Sequence, residues 1–319
     1  MRVRTLGRTG LVVSEIGLGT VELGLDYGVP VGGEHLRPTE EQAARLLHRA
    51  LDRGVTLVDT ARAYGASEEV IGRALAGRRG EYVLATKLAP LVDEGQPDDV
   101  LREAVHASIA ASLRALRTDV IDLLLLHRAP VETVRRGRVL AAIREAQAAG
   151  EVRFVGASTY GVEEPLAALD DGGYDVLQVA YNLADRSMAE EVLPRAARQG
   201  VGIVVRSVLL RGVLTHRAAY LPDALGELRG AVERLAALAE GARCTLPEMA
   251  YRFALAHPAV SSALVGTARV EELEAALGYA EQGPLAPALI EAIAGVTVRD
   301  TAQLNPATWP DESAWHPRP

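Results

Sequence analysis

The sequence predicts an α/β fold, a (β/α)8 TIM barrel with an N-terminal β-hairpin, and three observations predict it. Short apolar, β-like runs alternate with longer amphipathic stretches along the chain. Eight such runs can be counted, which favours a closed barrel over an open, doubly wound sheet. No linker or low-complexity tract interrupts them, so 1–319 reads as a single domain: hairpin 1–14, barrel about 15–285, C-terminal tail 286–319.

The hairpin comes first. Arg4-Thr5-Leu6 and Leu11-Val12-Val13 flank Gly7-Arg8-Thr9-Gly10, two extended runs around a turn. Strands are then expected over 16–19, 55–59, 82–86, 120–126, 152–156, 176–180, 201–205 and 261–265. Helical patterns fill the gaps at 40–53, 67–76, 98–117, 139–149, 166–169, 189–198, 231–239, 248–256 and 270–280. Strict alternation implies parallel strands with right-handed crossovers. The stretch 24–33 is glycine-rich and reads as a loop near the rim. Residues 206–230, with Gly212, Pro222 and Gly226, read as a long irregular insert. In the tail, Trp309 and Trp315 either dock on the surface or fold over a site.

Composition excludes several classes. The formal net charge of −8 argues against a nucleic-acid surface. The short basic run 135–138 reads as the solvated start of a helix. Cys244 is the single cysteine, so no internal disulfide framework and no cysteine metal site is expected. The seven histidines form no HxxxH pair, so no metal is expected. No apolar run approaches the ~18 residues of a membrane span, and the N-terminus lacks the apolar core of a signal peptide. A cytoplasmic protein is the expectation. Aromatics are 4% of residues, so the core must be built from Ala, Val, Leu and Ile.

Of 34 basic residues, one is lysine, Lys87. Arginine is fixed in charge and forked in shape; lysine is a compact cation whose pKa moves on burial. Lys87 closes the run 82–86, and the neighbouring runs lead to Asp59 and His127. In such barrels, active sites form at the C-terminal ends of the strands. Adjacent strands would thus bring Asp, Lys and His to one rim, with Tyr64 folded back over it. The set has a chemical use. Asp59 would pair with Lys87 and hold it charged. The ammonium would lower the pKa of the Tyr64 phenol, ordinarily near ~10. Neutral His127 would orient a carbonyl oxygen. Such a set protonates that oxygen while its carbon receives a nucleophile. It contains no Ser, Cys or carboxylate nucleophile, so hydride from a nicotinamide is the natural complement. Taken singly, Asp59 reads as well as a helix cap, Tyr64 as a packing aromatic and His127 as a core residue. Their joint placement is what argues for function.

Asp59-Thr60-Ala61-x-x-Tyr64-Gly65-x-Ser67-Glu68, Ile71-Gly72-x-Ala74-Leu75, Ala85-Thr86-Lys87 and Ile121-Asp122-Leu123-Leu124-Leu125-Leu126-His127-Arg128 resemble, in order and spacing, the aldo-keto reductase superfamily. The resemblance runs from Leu6 to about Leu277. It implies NADP(H) or NAD(H) as cofactor and a catalytic tetrad of Asp59, Tyr64, Lys87 and His127. Tyr64 would be the general acid/base, Lys87 and Asp59 would tune it, and His127 would orient the substrate. For the cofactor it implies Gly19, Thr20 and Asp59 near the nicotinamide ribose, and Ser158, Thr159 and Gln178 at the carboxamide. Thr159 stands where the family has Asn. Ser207, Leu209, Arg211 and Gly212 would cover the pyrophosphate, with Val208 replacing a proline. Gly266, Thr267 and Arg269 precede a helix whose N-terminus suits a phosphate. Arg269 would hold the 2′-phosphate of NADP, while Ala276 and Glu272 replace residues often Asn and Gln.

The expectation is an NAD(P)(H)-dependent aldo-keto reductase. It would interconvert a small carbonyl (aldehyde, ketone or sugar-like) and an alcohol, with no nucleic-acid or membrane partner. The alternative is a nicotinamide-binding regulatory module with little turnover. The low aromatic content suggests a pocket tolerant of polar, sugar-like carbonyls.

Overall fold

The computed structural model describes residues 1–29, 37–90, 95–311 and 315. Positions 30–33 of the glycine-rich stretch lie outside the described residues. Two strands, β1 (Val3–Thr5) and β2 (Val12–Ser14), form an antiparallel hairpin whose turn is a 3-10 segment over Gly7–Thr9. Eight parallel strands close the barrel: β3 (Ile16–Gly19), β4 (Leu57–Asp59), β5 (Val83–Lys87), β6 (Ile121–Leu126), β7 (Val152–Ser158), β8 (Val176–Ala180), β9 (Gly202–Arg206) and β10 (Val260–Gly266). Closure is the pairing of β10 with β3, Ala263 opposite Ile16.

The helices are α1 (Val21–Gly24), α2 (Glu40–Asp52), α3 (Ser67–Ala74), α4 (Asp98–Leu116), α5 (Val131–Arg136), α6 (Arg138–Ala148), α7 (Glu163–Asp171), α8 (Val192–Gln199), α9 (Gly226–Gly241), α10 (Leu246–Ala256), α11 (Val270–Glu281) and α12 (Pro287–Ala294). Their starts are written in the chain. Thr39 opens α2 with a capping box to Gln42, and Ala43, Leu46, Leu47, Ala50 and Leu51 form its buried stripe. Thr245 caps α10, with Pro247 in its first turn. Three expectations shift. The basic run 135–138 straddles the end of α5 and the start of α6, divided by Gly137 in the left-handed region. The insert ends at 225, where α9 begins. The tail contains a helix, α12.

The core has two layers, because each strand is covered on both faces. All six residues of β6 are buried. Outside, Val, Leu, Ile and Ala of strands and helices form the larger layer. Inside the barrel, Leu57, Ala85, Leu123, Leu125, Val176, Val204 and Leu264 pack together. Leu6 and Val13 of the hairpin join that inner cluster and plug the N-terminal end. The plug fits closely: a Cβ on Gly7, whose φ is +52°, would lie 2.2 Å from the Gly202 nitrogen. Among the described residues no helix is long and apolar enough to cross a membrane.

Candidate active site

Side chains along a strand alternate between barrel interior and helical layer. Two residues beyond inward-facing Leu57, Ala85, Leu125, Val176 and Val204 stand Asp59, Lys87, His127, Gln178 and Arg206. The same alternation that fills the core therefore presents five polar side chains at the C-terminal rim.

Lys87 is 1% exposed, yet its ammonium is fully engaged. Nζ donates to Asp59 Oδ2 at 2.7 Å, to Oδ1 at 2.9 Å and to the Thr60 carbonyl at 2.9 Å. Gln178 Nε2 donates to Asp59 Oδ1 at 2.8 Å, so the carboxylate is gripped from the opposite wall of the barrel. The ammonium lies 4.8 Å from the Tyr64 ring centroid. Tyr64 meets His127 edge to face, with ring centroids 5.5 Å apart. Tyr64 sits on a loop pinned at both sides: Arg62 N donates to the Lys87 carbonyl, and Ser67 N to the Tyr64 carbonyl. Gly24, at the end of α1, packs directly on that carbonyl; a Cβ there would stand 1.8 Å away. The four expected tetrad residues are thus brought together.

Electrostatics follow from burial and two cations. Burial, the largest single influence, would depress the Lys87 ammonium, but the charge of Asp59, the influence of Tyr64 and the hydrogen bonds to both together outweigh it and hold it above the usual lysine value. Burial, then the charges of Lys87 and Arg206, push His127 down to about 4, so it is neutral at pH 7. For Tyr64 the sequence expectation reverses. Burial raises the phenol above its ordinary value, and the pull of Lys87 only partly offsets this.

A cleft of about 440 Å³ runs from this cluster across the barrel mouth. Gly19, Thr20, Ser158, Gln178, Ser207, Leu209, Arg211, Gly212 and Gly266 all line it. Thr20 also has a structural bond, donating to the Asp59 carbonyl at 2.9 Å. The loop after β9 carries Ser207, Leu210 and Arg211 at positive φ, rare for side-chain-bearing residues. Its rigidity comes from burial rather than proline: Val208, Leu210, Val213 and Leu214 are all in the core. Asn182 Nδ2 fixes the Ser207 carbonyl at 3.1 Å. Arg211 Nε and Arg206 Nε are buried without a partner among the described residues. Unpaired donors beside a strained loop suit a polyanionic ligand such as a dinucleotide.

Three expected contacts stand elsewhere. The Thr159 hydroxyl is buried and unpartnered, but Thr159 lines the neighbouring cavity rather than the cleft. This is alternation again: Ser158 faces in, so Thr159 faces out. Thr267 is fully buried, its hydroxyl donating to Glu272 at 2.5 Å and accepting from Arg269 N at 2.9 Å. Arg269 is ion-paired with Glu272 and lines a side crevice.

A second cavity of about 390 Å³ lies beside His127, walled by Leu88, Pro90, Leu126 and Val139, with Thr133 and Asn305 as polar contacts. Arg128 and the ring of Tyr160 line it as well. Of the two readings of the tail tryptophans, docking is the one seen: Trp309 and Trp315 pack against the core and on each other with centroids 5.6 Å apart, and it is Asn305 and Ala307 that line this cavity.

Sequence reasoning missed Arg206, Glu22 and the Gln178–Asp59 bond. Arg206 was detectable, since it falls two residues after inward-facing Val204. Glu22 lines the far part of the cleft; burial, then the neighbouring Glu272 charge, push its carboxyl up to about 7.

Comparison with known proteins agrees with this fold. The Aldo/keto reductase family model matches residues 15–297. Aldo-keto reductase YhdN of Bacillus subtilis is 31% identical over 300 residues, covering 86% of this chain and 87% of that protein. L-galactose dehydrogenase of Arabidopsis thaliana is 30% identical over 289 residues, covering 86% of each. The solved aldo-keto reductase AKR11C1 from Bacillus halodurans, in its holo form, superposes with a TM-score of 0.77 at 28% identity, covering 94% of this chain and 99% of that one. With barrel, hairpin and rim cluster in place, the chain belongs to the aldo-keto reductase family of oxidoreductases.

Proposed function

We propose that this protein is a cytoplasmic NAD(P)(H)-dependent reductase that interconverts a small carbonyl and an alcohol, with Tyr64 as general acid/base. The observation that carries the reading is Lys87, buried, held by both oxygens of Asp59 and lying 4.8 Å from the Tyr64 ring centroid. When bound, a nicotinamide supplies hydride chemistry at the carbonyl carbon. Ser158 and Gln178 would hold its carboxamide, and Ser207, Leu209, Arg211 and Gly212 its pyrophosphate; all line the cleft. The unpaired Arg211 Nε supports that fit.

The protein's own part is proton handling and placement. Tyr64 stays protonated at pH 7 and so can donate its hydroxyl proton to a carbonyl oxygen. The phenolate left behind is stabilised by the fixed ammonium of Lys87. His127 is neutral and orients that oxygen without competing as an acid. The cavity beside His127, with Leu88, Pro90, Leu126 and Val139 in its wall and Arg128, Thr133 and Asn305 as polar contacts, suits the body of a small carbonyl.

The test is cofactor oxidation with a panel of aldehydes and ketones. Tyr64→Phe should lower kcat about 10²–10⁴-fold, the usual share of a general acid, with cofactor affinity retained. Equal rates in the two proteins would sink the mechanism. Tight cofactor binding with no turnover across the panel would favour the regulatory module.

A further inference from the structure

The cleft holds a positive charge that proton transfer does not use. The Arg206 guanidinium donates to two neutral acceptors, the Thr159 carbonyl at 2.9 Å and Ser207 Oγ at 3.3 Å. It lies 4.3 Å from the centroid of the Tyr160 ring. Its Nε is buried and unpartnered, and among the described residues no carboxylate lies within ion-pair distance. Its field reaches Glu164, on which Arg128 also acts, and that carboxylate accepts from the Tyr160 N–H at 2.7 Å. Lys87 differs: its charge is matched by Asp59. Arg206 is therefore an uncompensated cation at this end of the cleft, and half-buried charges ordinarily find a counter-ion. Its field already reaches Tyr64 and His127.

The same wall carries the candidate carboxamide partners. Ser158 pairs in register with Gln178, and Arg206 with Ala180 on that same strand. A nicotinamide held by Ser158 and Gln178 therefore lies within the guanidinium's reach. The ring carries a unit positive charge when oxidised and none when reduced; the phosphates are the same in both. Resting on the cofactor reading above, we infer that Arg206 makes this site discriminate between redox states, holding the neutral reduced ring more tightly than the cationic oxidised one.

The test is equilibrium binding, not turnover. Dissociation constants of NAD+ and NADH, and of NADP+ and NADPH, are measured by fluorescence or calorimetric titration. The proteins are wild type, Arg206→Gln, Arg206→Met and Arg206→Lys. We expect the oxidised-to-reduced ratio of Kd to fall about tenfold in the Gln and Met variants, the scale of one charge acting through a half-open site. Arg206→Lys should keep most of it. Two neutral variants guard against one that fails to fold. If both redox forms weaken equally, Arg206 is a plain anchor for a cofactor phosphate and the inference falls while the cofactor reading stands. If wild type binds neither form, both fall.

Discussion

The two ends of the cleft treat charge in opposite ways. At the end beside Tyr64 and His127, Lys87 is buried against Asp59, and Arg206 is left unmatched. At the far end two carboxylates, Glu22 and Glu272, feel each other, and Arg269 is taken up by Glu272. One end holds an unmatched cation; at the other, burial first and then the Glu272 charge act against the Glu22 carboxylate, with Arg217 partly offsetting them. Buried charge is held where an opposite charge meets it, as at Lys87 and Asp59, and costs stability where a carboxylate is buried beside a like one.

The comparison breaks most visibly at Lys87. Lys87→Met strands the Asp59 carboxylate in the interior, and we expect a loss of about 3–5 kcal/mol in denaturant unfolding. Asp59→Asn combined with Lys87→Met should recover most of that loss while leaving turnover abolished. A double variant as unstable as the single one would mean that the ion pair is not what holds this end together.

Glu22 sharpens the contrast at the other end. Its carboxyl is raised from 4.5 to about 7, so the native state binds the proton more tightly than the unfolded chain. Native stability should therefore fall as pH rises from 4.5 through 7, and the penalty is complete above that. Glu22→Gln should add about 1–2 kcal/mol at pH 8, reduced from the full shift by solvent screening, and almost nothing near pH 4.5. An equal gain at both pH values would remove Glu22 from the account.

The smallest effect belongs to Arg269. Its pair with Glu272 is half exposed, and Arg269→Gln should change stability by about 1 kcal/mol or less. Because its guanidinium is committed to Glu272, the NADP-to-NAD affinity ratio should move by less than about threefold (0.65 kcal/mol). A tenfold loss of NADP affinity alone would instead place the 2′-phosphate on Arg269.

Much of the fold was legible because strand and helix periods differ so plainly. Runs such as Leu123–Leu126 between amphipathic stretches admit few other readings. The tetrad was legible because strand ends fall at the rim by construction. What escaped depended on the face of a strand or on contacts across it. Ser158 and Thr159 are neighbours in sequence but face different cavities, which a period of two would have separated. Gln178 reaches Asp59 across the barrel interior from a strand that is not its neighbour, and no local pattern encodes that. The Arg269–Glu272 pair, three residues apart on one helix start, was readable and would have qualified the phosphate assignment. Helix α12 was hidden because it is two turns long and buries only Ile293.

The hairpin plug sets an order in time. Leu6 is synthesised before every strand of the barrel and ends fully buried in the barrel floor. Arg4, beside it, donates to the carbonyls of Leu255 and Val260. Neither has its socket until β10 has left the ribosome, nearly the whole chain later. Through that interval the nascent chain carries an exposed leucine and two unpaired sheet edges, β3 and whichever strand is latest. The floor of this barrel is made first and laid last, which makes elongation the period when the chain is most open to wrong partners.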